Sequence, residues 1–154
     1  MHTLQIDVVG HVLPGGFDSL RLDAQAEGYQ FLDRLATEWA ACTTRFDRPF
    51  EVLLAAQLIG TLAGIGGLTL DAAVPGALRM RRFYIRPAFR RRGVGQTLAT
   101  TLLGRAGLAN RPVTVNAGTA DAAAFWEALG FTAEVQDGHT HIKARCLARV
   151  PPAG

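Results

Sequence analysis

The sequence predicts an α/β (α+β) fold, in which a mixed, mostly antiparallel central sheet contains one parallel strand-helix-strand unit and carries flanking helices. Residues 78–117 read as strand, basic glycine-rich turn, helix and strand, and a right-handed crossover makes the two strands of such a unit parallel neighbours. Further strand patterns joined by short turns lie before and after it, which is typical of antiparallel pairs. The length of 154 residues and 49% hydrophobic content predict one domain over residues 1–154.

The N-terminal third predicts one strand and one helical region. Apolar residues alternate over 4–8, within a segment 1–16 that could add an edge strand, but residues 19–22 could equally form the first strand. The pattern leaves these two alternatives open. From 24 to 42 the apolar residues recur at helical spacing, which predicts an amphipathic helix, broken in two near Gly28.

The middle of the chain predicts an antiparallel pair followed by the central strand. Residues 51–56 and 61–69 read as strands around a turn at Gly60. The glycines of the second strand predict a bulge or a close approach of backbone; they are Gly64, Gly66 and Gly67. The strand over 78–85 is rich in bulky and β-branched residues, and Pro87 ends it.

After this strand the sequence predicts helix, strand, helix and hairpin. The apolar spacing of the helix starts at Val94, and the next strand covers 113–117. Thr119 or Asp121 can cap a helix that ends at Gly130. Strands over 131–135 and 139–147 follow, joined at Asp137-Gly138, and a frayed tail is expected over 150–154.

Composition indicates a local anion site. The net charge is +3 and the pI about 9.4, yet Lys143 is the only lysine and seven arginines fall between Arg79 and Arg92. Such clustering favours a small anion over nucleic acid, which needs a broader basic face. Cys42 and Cys146 have no metal-ligand spacing and are expected to be buried free thiols in a reducing cytoplasm. Neither a signal peptide nor a membrane span is expected.

The turn between the central strand and its helix has the chemistry of a phosphate site. The first N–H groups of a helix lack internal partners, and glycines allow an anion to approach the backbone. The turn has the pattern Arg90-x-x-Gly93-x-Gly95. It lacks the lysine and hydroxyl ending of a P-loop, and Leu98 stands where a dinucleotide fingerprint has its third glycine.

This pattern resembles the acyl-CoA pyrophosphate loop of the GCN5-related N-acetyltransferases, the GNAT superfamily. Asn116 lies at the end of the next strand, where the family often has a polar residue facing the pantetheine arm. The run from Ala124 to Phe131 is similar to the family's small-Phe-Tyr-x-x-Leu-Gly-Phe signature. The likeness extends over residues 24–149.

The resemblance implies an acyl-CoA-dependent N-acyltransferase that moves an acetyl group from acetyl-CoA to a primary amine by direct attack in a ternary complex. No metal is implied, and a homodimer would be usual. The alternative is a catalytically weak acyl-CoA-binding or regulatory module. The implied cofactor-binding residues are Phe83, Tyr84, Ile85, Arg90, Arg91, Arg92, Gly93, Val94, Gly95, Gln96, Asn116, Phe125 and Trp126.

The catalytic groups depart from the family pattern, because Trp126 stands where many members have a tyrosine thought to protonate the leaving thiolate. A water or another hydroxyl, with Tyr84 as the candidate, could serve in its place, or the thiolate could leave without an acid. Glu51 is the candidate base. Glu38 and Asp71 are further carboxylates near the expected substrate side, although surface carboxylates are usually solvated.

Other charged residues suggest secondary roles. His139 and His141 share one strand face, but two ligands without a third do not indicate a metal site, and an exposed strand is the default expectation. Arg79 and Arg81 are expected on one face of the central strand and Arg82 on the other, so that one set could favour an acceptor with a carboxylate.

Overall fold

The computed structural model describes residues 3–136 and 138–144, and these residues form one sheet with helices on both faces. The strands follow the spatial order β1-β2-β3-β4-β5-β7-β6. In chain order the elements are β1 (Leu4–Val8), α1 (Phe17–Ala26), α2 (Phe31–Ala40), β2 (Val52–Leu58), β3 (Thr61–Leu70), β4 (Leu78–Ile85), a 3-10 turn (Pro87–Phe89), α3 (Val94–Leu108), β5 (Val113–Val115), α4 (Ala120–Ala128), β6 (Thr132–Gln136) and β7 (His139–Lys143).

The pairing confirms the predicted mixed sheet. Neighbouring strands run antiparallel except β4 and β5, which are parallel. That parallel ladder is short, because only Leu78 with Val113 and Arg79 with Thr114 are in register. Beyond Arg79 the two strands separate, so β4 keeps one unpaired edge inside the sheet.

Each face of the sheet has its own hydrophobic core. On one face α3 and α4 cover side chains such as Leu54, Leu68 and Met80. On the other face α1 and α2 cover Leu53 and Ile65. The apolar period predicted for α3 is the buried one, since Val94, Leu98, Leu102 and Ala106 are all buried.

The N-terminal region resolves the open alternatives. The edge strand β1 exists and pairs with β2. The segment 19–22 is not a strand, because it belongs to α1, whose buried residues Phe17, Leu20 and Ala24 have helical spacing. The helical region is broken at Gly28 as predicted, with φ of 88° there, but it begins at Phe17 and not near residue 24.

The glycines of β3 permit close packing, as predicted. A Cβ on Gly64 would lie 2.7 Å from the carbonyl oxygen of Tyr84, and one on Gly67 would lie 2.9 Å from that of Val52. The register against β4 also shifts, so that Arg82 and Phe83 together face Gly66. The extra residue is thus carried by β4, where Arg82 has a φ of 55°.

This bulge corrects the expected facing of the arginines. Arg81 is opposite Gly67, and a Cβ on Gly67 would point at Phe46 on the side of α1 and α2. The guanidinium of Arg82 contacts Glu38 of α2 on that same side. Simple alternation fails here because a bulge places two successive side chains on one face.

The C-terminal part agrees with the predicted helix and hairpin. The hydroxyl of Thr119 accepts a hydrogen bond from the N–H of Ala122 at 3.1 Å and caps α4, and Gly130 follows it with φ of 98°. Predictions for residues 145–147, including Cys146, and for the tail 150–154 fall outside the described residues. Cys42 is exposed, contrary to expectation. Among the described helices, none has the length and apolar character needed to cross a membrane.

Candidate functional site

A run of unpaired backbone N–H groups marks the turn before α3. The amides from Arg91 to Gln96 donate to no acceptor among the described residues, whereas the N–H groups of Arg90 and Thr97 on either side are bonded to Pro87 and Gly93. Within this run the backbone is left-handed at Arg91 and Gly93, with φ of 62° and 80°. Such a series of free amides forms a concave site for an anion.

The local sequence explains why these amides stay free. Pro87 ends β4, and the left-handed Gly93 begins α3 without a side-chain cap and without an acidic residue in the first turn. The positive end of the helix dipole is therefore not neutralised by the chain. At Gly95 a Cβ would lie 3.3 Å from Ile85 and 3.5 Å from Phe125, so glycine lets this helix end sit close to β4 and α4.

The arginines of the turn have different environments. Arg91 and Arg92 are exposed beside the free amides, and Arg92 lies over the Phe89 ring at 5.7 Å. Arg90 instead binds within the protein. Its Nε donates to the carbonyl of Ile85 at 3.0 Å, and its two Nη atoms donate to Glu27 at 2.8 Å and 2.6 Å.

Glu27 also accepts a hydrogen bond from the hydroxyl of Tyr84, at 2.5 Å. Burial and this hydrogen bond raise the pKa of Tyr84 well above its ordinary value. The hydrogen bonds from Arg90, joined by that from Tyr84, hold the pKa of Glu27 below its usual range despite partial burial. Glu27 is thus an ionised link between the helical pair and the anion loop.

The unpaired edge of β4 leads from this loop into the sheet. The N–H of Arg86 donates to Ala63 of β3, so alternation directs the backbone groups of Ile85 and Phe83 toward β5. Because β4 and β5 have separated there, the edge is free to pair with an extended ligand. Asn116 is exposed just beyond the end of β5.

An aromatic cluster closes one side of this opening. The ring of Phe83 lies 5.7 Å from Phe125 and 4.9 Å from Trp126, and Trp126 also contacts Phe131. Trp126 is 4% exposed, which makes it part of the core under α4. Phe125 is half-buried at the edge of the cluster, next to Gly95.

The carboxylates considered from the sequence lie apart from one another. Glu51 accepts from the N–H of Leu70 at 2.9 Å, near the Leu78 end of β4, which is about 20 Å along the strand from Ile85. The structure therefore does not bring Glu51 and Tyr84 together. Glu38 forms an ion pair with Arg82 at 2.5 Å.

Asp71 is buried, contrary to the expectation of a solvated carboxylate. It accepts hydrogen bonds from Ala73, Val74 and the hydroxyl of Thr114, at 2.8, 3.1 and 2.5 Å. Burial alone would raise its pKa, but these bonds outweigh burial and leave the pKa below its ordinary range. Asp71 acts as a structural link between the turn after β3 and strand β5.

The histidines are also buried and not exposed as expected. Nε2 of His141 lies 2.7 Å from a carboxylate oxygen of Glu127 on α4, and His139 lies 3.6 Å from Glu134. His141 attaches the closing hairpin to α4, whereas neither ring nitrogen of His139 has a hydrogen-bond partner among the described residues. Within residues 3–136 and 138–144, no group of three or more His, Cys, Asp and Glu side chains could hold a metal ion.

A groove opens on the opposite face of β4 from the aromatic cluster. It has a volume of about 380 Å³ and lies between α2 and the bulge of β4. Its lining residues are Gln30, Asp33, Arg34, Thr37, Glu38 and Arg82. The site thus combines an anion loop, a free strand edge and a polar groove.

Sequence reasoning missed Glu27. Its partners Tyr84 and Arg90 are 57 and 63 residues away, and no local pattern connects residues at such separations. Its place next to the break at Gly28 was the one available signal, because a carboxylate at a helix junction can face the sheet.

Comparisons with known proteins agree with this arrangement. The model of the Acetyltransferase (GNAT) family matches residues 17–131, and the chain belongs to this family. No curated protein sequence matches the chain. The family transfers acyl groups from acyl-CoA to amines, so N-acyltransferase activity is supported at that general level.

Solved structures show the same fold. A protein from Exiguobacterium sp. 255-15 assigned as an acetyltransferase has a TM-score of 0.83 and 22% identity, with 92% of this chain and 93% of that chain covered. A Salmonella typhimurium acetyltransferase that modifies the N-terminal serine of a 50S ribosomal subunit protein has a TM-score of 0.64, 13% identity and 91% of each chain covered. The AtaT toxin, in a mutant form bound to the antitoxin AtaR and acetyl-CoA, has a TM-score of 0.62, 16% identity and 91% of each chain covered.

Proposed function

We propose that this protein transfers an acetyl group from acetyl-CoA to a primary amine by direct attack within a ternary complex. The observation that carries the proposal is the run of unpaired amides from Arg91 to Gln96 at the positive end of α3. A pyrophosphate is the group best suited to it, because its oxygens can accept several N–H groups at once.

The remaining parts of the cofactor follow the free edge of β4. The backbone of Phe83 and Ile85 would hydrogen-bond the amides of the pantetheine arm, and Asn116 would offer a polar side chain from the β5 side. Arg91 and Arg92 add exposed positive charge around the phosphates. Arg90 has another task, since it fixes Glu27 and the carbonyl of Ile85. Phe125 lies at the edge of the same opening, against Gly95, and Trp126 supports it from the core.

The reaction needs mainly position and one oxyanion donor. The amine nitrogen forms a bond to the thioester carbon, the carbon–sulfur bond breaks, and sulfur leaves with the electron pair as thiolate. A backbone N–H of β4 near the bulge would stabilise the oxyanion. The amine proton passes to solvent in the groove or to a side chain there.

Tyr84 remains the candidate acid for the thiolate, in a modified form. Its one hydroxyl proton is donated to Glu27 and its pKa is raised, so Tyr84 would have to exchange this partner before it could donate to the thiolate. Departure without an acid is feasible, because a thiol ionises near pH 8.5. We assign no step to Glu51, whose carboxylate accepts backbone hydrogen bonds at the other end of the sheet.

The anion loop is tested by a pair of glycine substitutions. Gly93 and Gly76 have φ of 80° and 83°, and neither has a neighbour within 4 Å of a built Cβ. Gly93→Val and Gly76→Val should therefore strain the backbone to a similar extent, while only the first alters the amides before α3. We expect Gly93→Val to weaken CoA binding at least tenfold by calorimetry, and Gly76→Val to leave it unchanged.

Activity is tested by thiol release from acetyl-CoA with a panel of amines. Saturable release with an amine supports the transferase. CoA binding without any acceptor would favour the second candidate, an acyl-CoA-binding module. That candidate is motivated by the buried Trp126 and by the engagement of the Tyr84 hydroxyl with Glu27. Equal loss of CoA affinity in both glycine variants would contradict the proposed loop.

A further inference from the structure

The side of β4 that faces α2 carries positive charge beside the groove. Arg81 and Arg82 lie on this side because of the bulge, as their contacts with the Gly67 side and with Glu38 show. Arg79, two residues before Arg81 in the regular part of the strand, shares the face. Three guanidinium groups therefore lie on one face of the strand that borders the expected thioester.

The charge of Arg82 is compensated, while that of Arg81 is not. Arg82 forms an ion pair with Glu38 at 2.5 Å. Arg81 is half-buried and has no hydrogen-bonded or ion-paired side chain within the part of the chain that the structure describes. Burial lowers its pKa, and the nearby positive charges of Arg82 and Arg79 act in the same direction. A partly desolvated guanidinium of this kind is stabilised by an anion.

A second polar group on the same face lacks a partner. Thr69 is 4% exposed, and its hydroxyl makes no hydrogen bond to any of residues 3–136 and 138–144. It is in register with Arg79, and it follows Gly67, the partner of Arg81, by two residues. By alternation Thr69 therefore lies on the arginine face, diagonally across from Arg81. An unsatisfied buried hydroxyl is unfavourable by itself, but it can donate to a bound oxygen.

The position of Arg81 and Thr69 suits an acceptor and not the cofactor. The ladder between β4 and β5 ends at Arg79, so the opening between the strands begins beside Arg81. The bulge at Arg82 and Phe83 is the next feature along β4, and the groove against α2 opens over it. Arg81 thus lies directly before the bulge, on the side of β4 away from the aromatic cluster.

We propose that the acceptor amine carries a carboxylate, which Arg81 binds and to which the Thr69 hydroxyl donates a hydrogen bond. This inference rests on the proposed transferase function. It assigns the substrate class as small amino acids or related amines with a free carboxylate, and it makes Arg81 a specificity-determining residue.

The experiment compares matched acceptors and matched variants. Acetyl transfer is measured for β-alanine and β-alaninamide, which differ in the carboxylate, with wild type, Arg81→Gln, Arg81→Lys and Thr69→Val. Arg105→Gln serves as a control, because Arg105 is exposed on α3 on the opposite face. CoA affinity is measured for every variant.

We expect Arg81→Gln to lower kcat/KM for β-alanine about tenfold to hundredfold, since charge-assisted hydrogen bonds have this magnitude. The kcat/KM for β-alaninamide should stay unchanged. Arg81→Lys should recover part of the loss. Thr69→Val should lower kcat/KM about threefold to tenfold while keeping or raising the unfolding temperature, because it removes an unsatisfied hydroxyl. The CoA affinity of every variant and the kcat/KM of Arg105→Gln should stay at wild-type values.

The outcomes separate this inference from the proposed function. Equal kcat/KM for β-alanine and β-alaninamide, or no effect of Arg81→Gln on kcat/KM for β-alanine, would overturn the inference and leave the transferase proposal intact. A preference for phosphoethanolamine over carboxylated amines would overturn the carboxylate assignment. If no amine is acetylated, the transferase proposal fails, and calorimetric binding of β-alanine to the CoA complex decides the inference. Binding that Arg81→Gln abolishes supports it, and absence of binding overturns it.

Discussion

Single residues connect the parts of this site that lie far apart in sequence. Glu27 is the clearest case, because one carboxylate accepts hydrogen bonds from Tyr84 on β4 and from Arg90 in the anion loop. A displacement of the junction between α1 and α2 would therefore shift the phenol and the loop together. The negative charge of this carboxylate, ionised in the folded protein, is what holds the three side chains in one geometry.

The pH dependence of stability tests the role of Glu27. Its pKa is lowered in the folded protein, so its contribution is present above the ordinary carboxyl pKa and is lost as pH falls through the folded value. We expect Glu27→Gln to lower the free energy of unfolding by about 1 kcal/mol at neutral pH, with allowance for partial exposure. Its unfolding temperature should then decrease less steeply than that of wild type below about pH 4.5.

The same variant should lower the pKa of Tyr84, because the negative partner of the phenol is removed. Absorbance of the tyrosinate during an alkaline titration measures this change. Parallel acid unfolding curves for wild type and Glu27→Gln, together with an unchanged phenol titration, would contradict the proposed link.

Packing at Gly67 gives a prediction of a different kind. A Cβ there would lie 2.5 Å from the Phe46 ring and 2.9 Å from the carbonyl oxygen of Val52. Gly67→Ala should therefore destabilise the protein by about 1–3 kcal/mol. Gly104→Ala, in α3 with no neighbour within 4 Å, should stabilise it by about 0.5–1 kcal/mol. Chemical denaturation of both variants measures the difference, and similar values for the two would be inconsistent with close packing at Gly67.

Among the elements, Asp71 joins two strands that share little pairing. Its carboxylate accepts hydrogen bonds from the turn after β3 and from the hydroxyl of Thr114 in β5. The strands β4 and β5 are themselves in register at only two positions. The short parallel ladder thus has a side-chain connection at its base. Without it, the opening between β4 and β5 would extend further into the sheet.

We expect Asp71→Ala to cost about 2–3 kcal/mol of stability, because it leaves two backbone N–H groups and a buried hydroxyl without their acceptor. Asp47→Ala is the control, since Asp47 is exposed and has no hydrogen bond or ion pair to another described side chain. Urea unfolding compares the two. A loss below about 0.5 kcal/mol for Asp71→Ala would rank it with ordinary surface substitutions and refute this role.

At this scale the sequence was informative wherever an apolar period lies within one element. The period from Val94 in α3, the turn at Gly60 and the end of α4 at Gly130 were all predictable from local rules. The start of α1 was missed, because residues 19–22 have an ambiguous pattern that only packing onto the sheet resolves. The face of Arg82 was missed because one extra residue in β4 reverses the alternation.

The candidate site divides in the same way. The free amides before α3 depend on neighbouring residues, so glycine spacing and the start of a helix were sufficient to predict them. The contacts of Glu27, the shared face of Arg81 and Arg82, and the burial of His139 and His141 depend on contacts between distant elements. Spacing along one segment contains no information about such contacts.

Over the whole molecule, β4 and β5 separate beyond Arg79 and leave an opening at one edge of β4. The anion loop lies at its upper end, the aromatic cluster of Phe83, Phe125 and Trp126 lies on one face, and the groove beside α2 lies on the other. Under the proposed function, cofactor and acceptor would approach from opposite faces and meet at the bulge of β4. Both reactants would then reach the same point at once, as direct attack in a ternary complex requires.

Backbone hydrogen exchange tests this arrangement directly. The amides from Arg91 to Gln96 should exchange rapidly in the free protein, because no described group accepts them, and so should those of Phe83 and Ile85, because β5 does not pair with this part of β4. The amide of Arg86 should be protected throughout, since it donates to Ala63 at 2.9 Å. Saturating CoA should slow exchange of the first two groups at least tenfold and leave Arg86 unchanged. Pantetheine, which lacks the pyrophosphate, should protect Phe83 and Ile85 without protecting the loop. Pantetheine could instead protect the loop amides, or the ligands could slow amide exchange uniformly over the whole sheet. Either result would mean that ligand binding stabilises the protein globally. The proposed division of the cofactor between loop and strand edge would then be wrong.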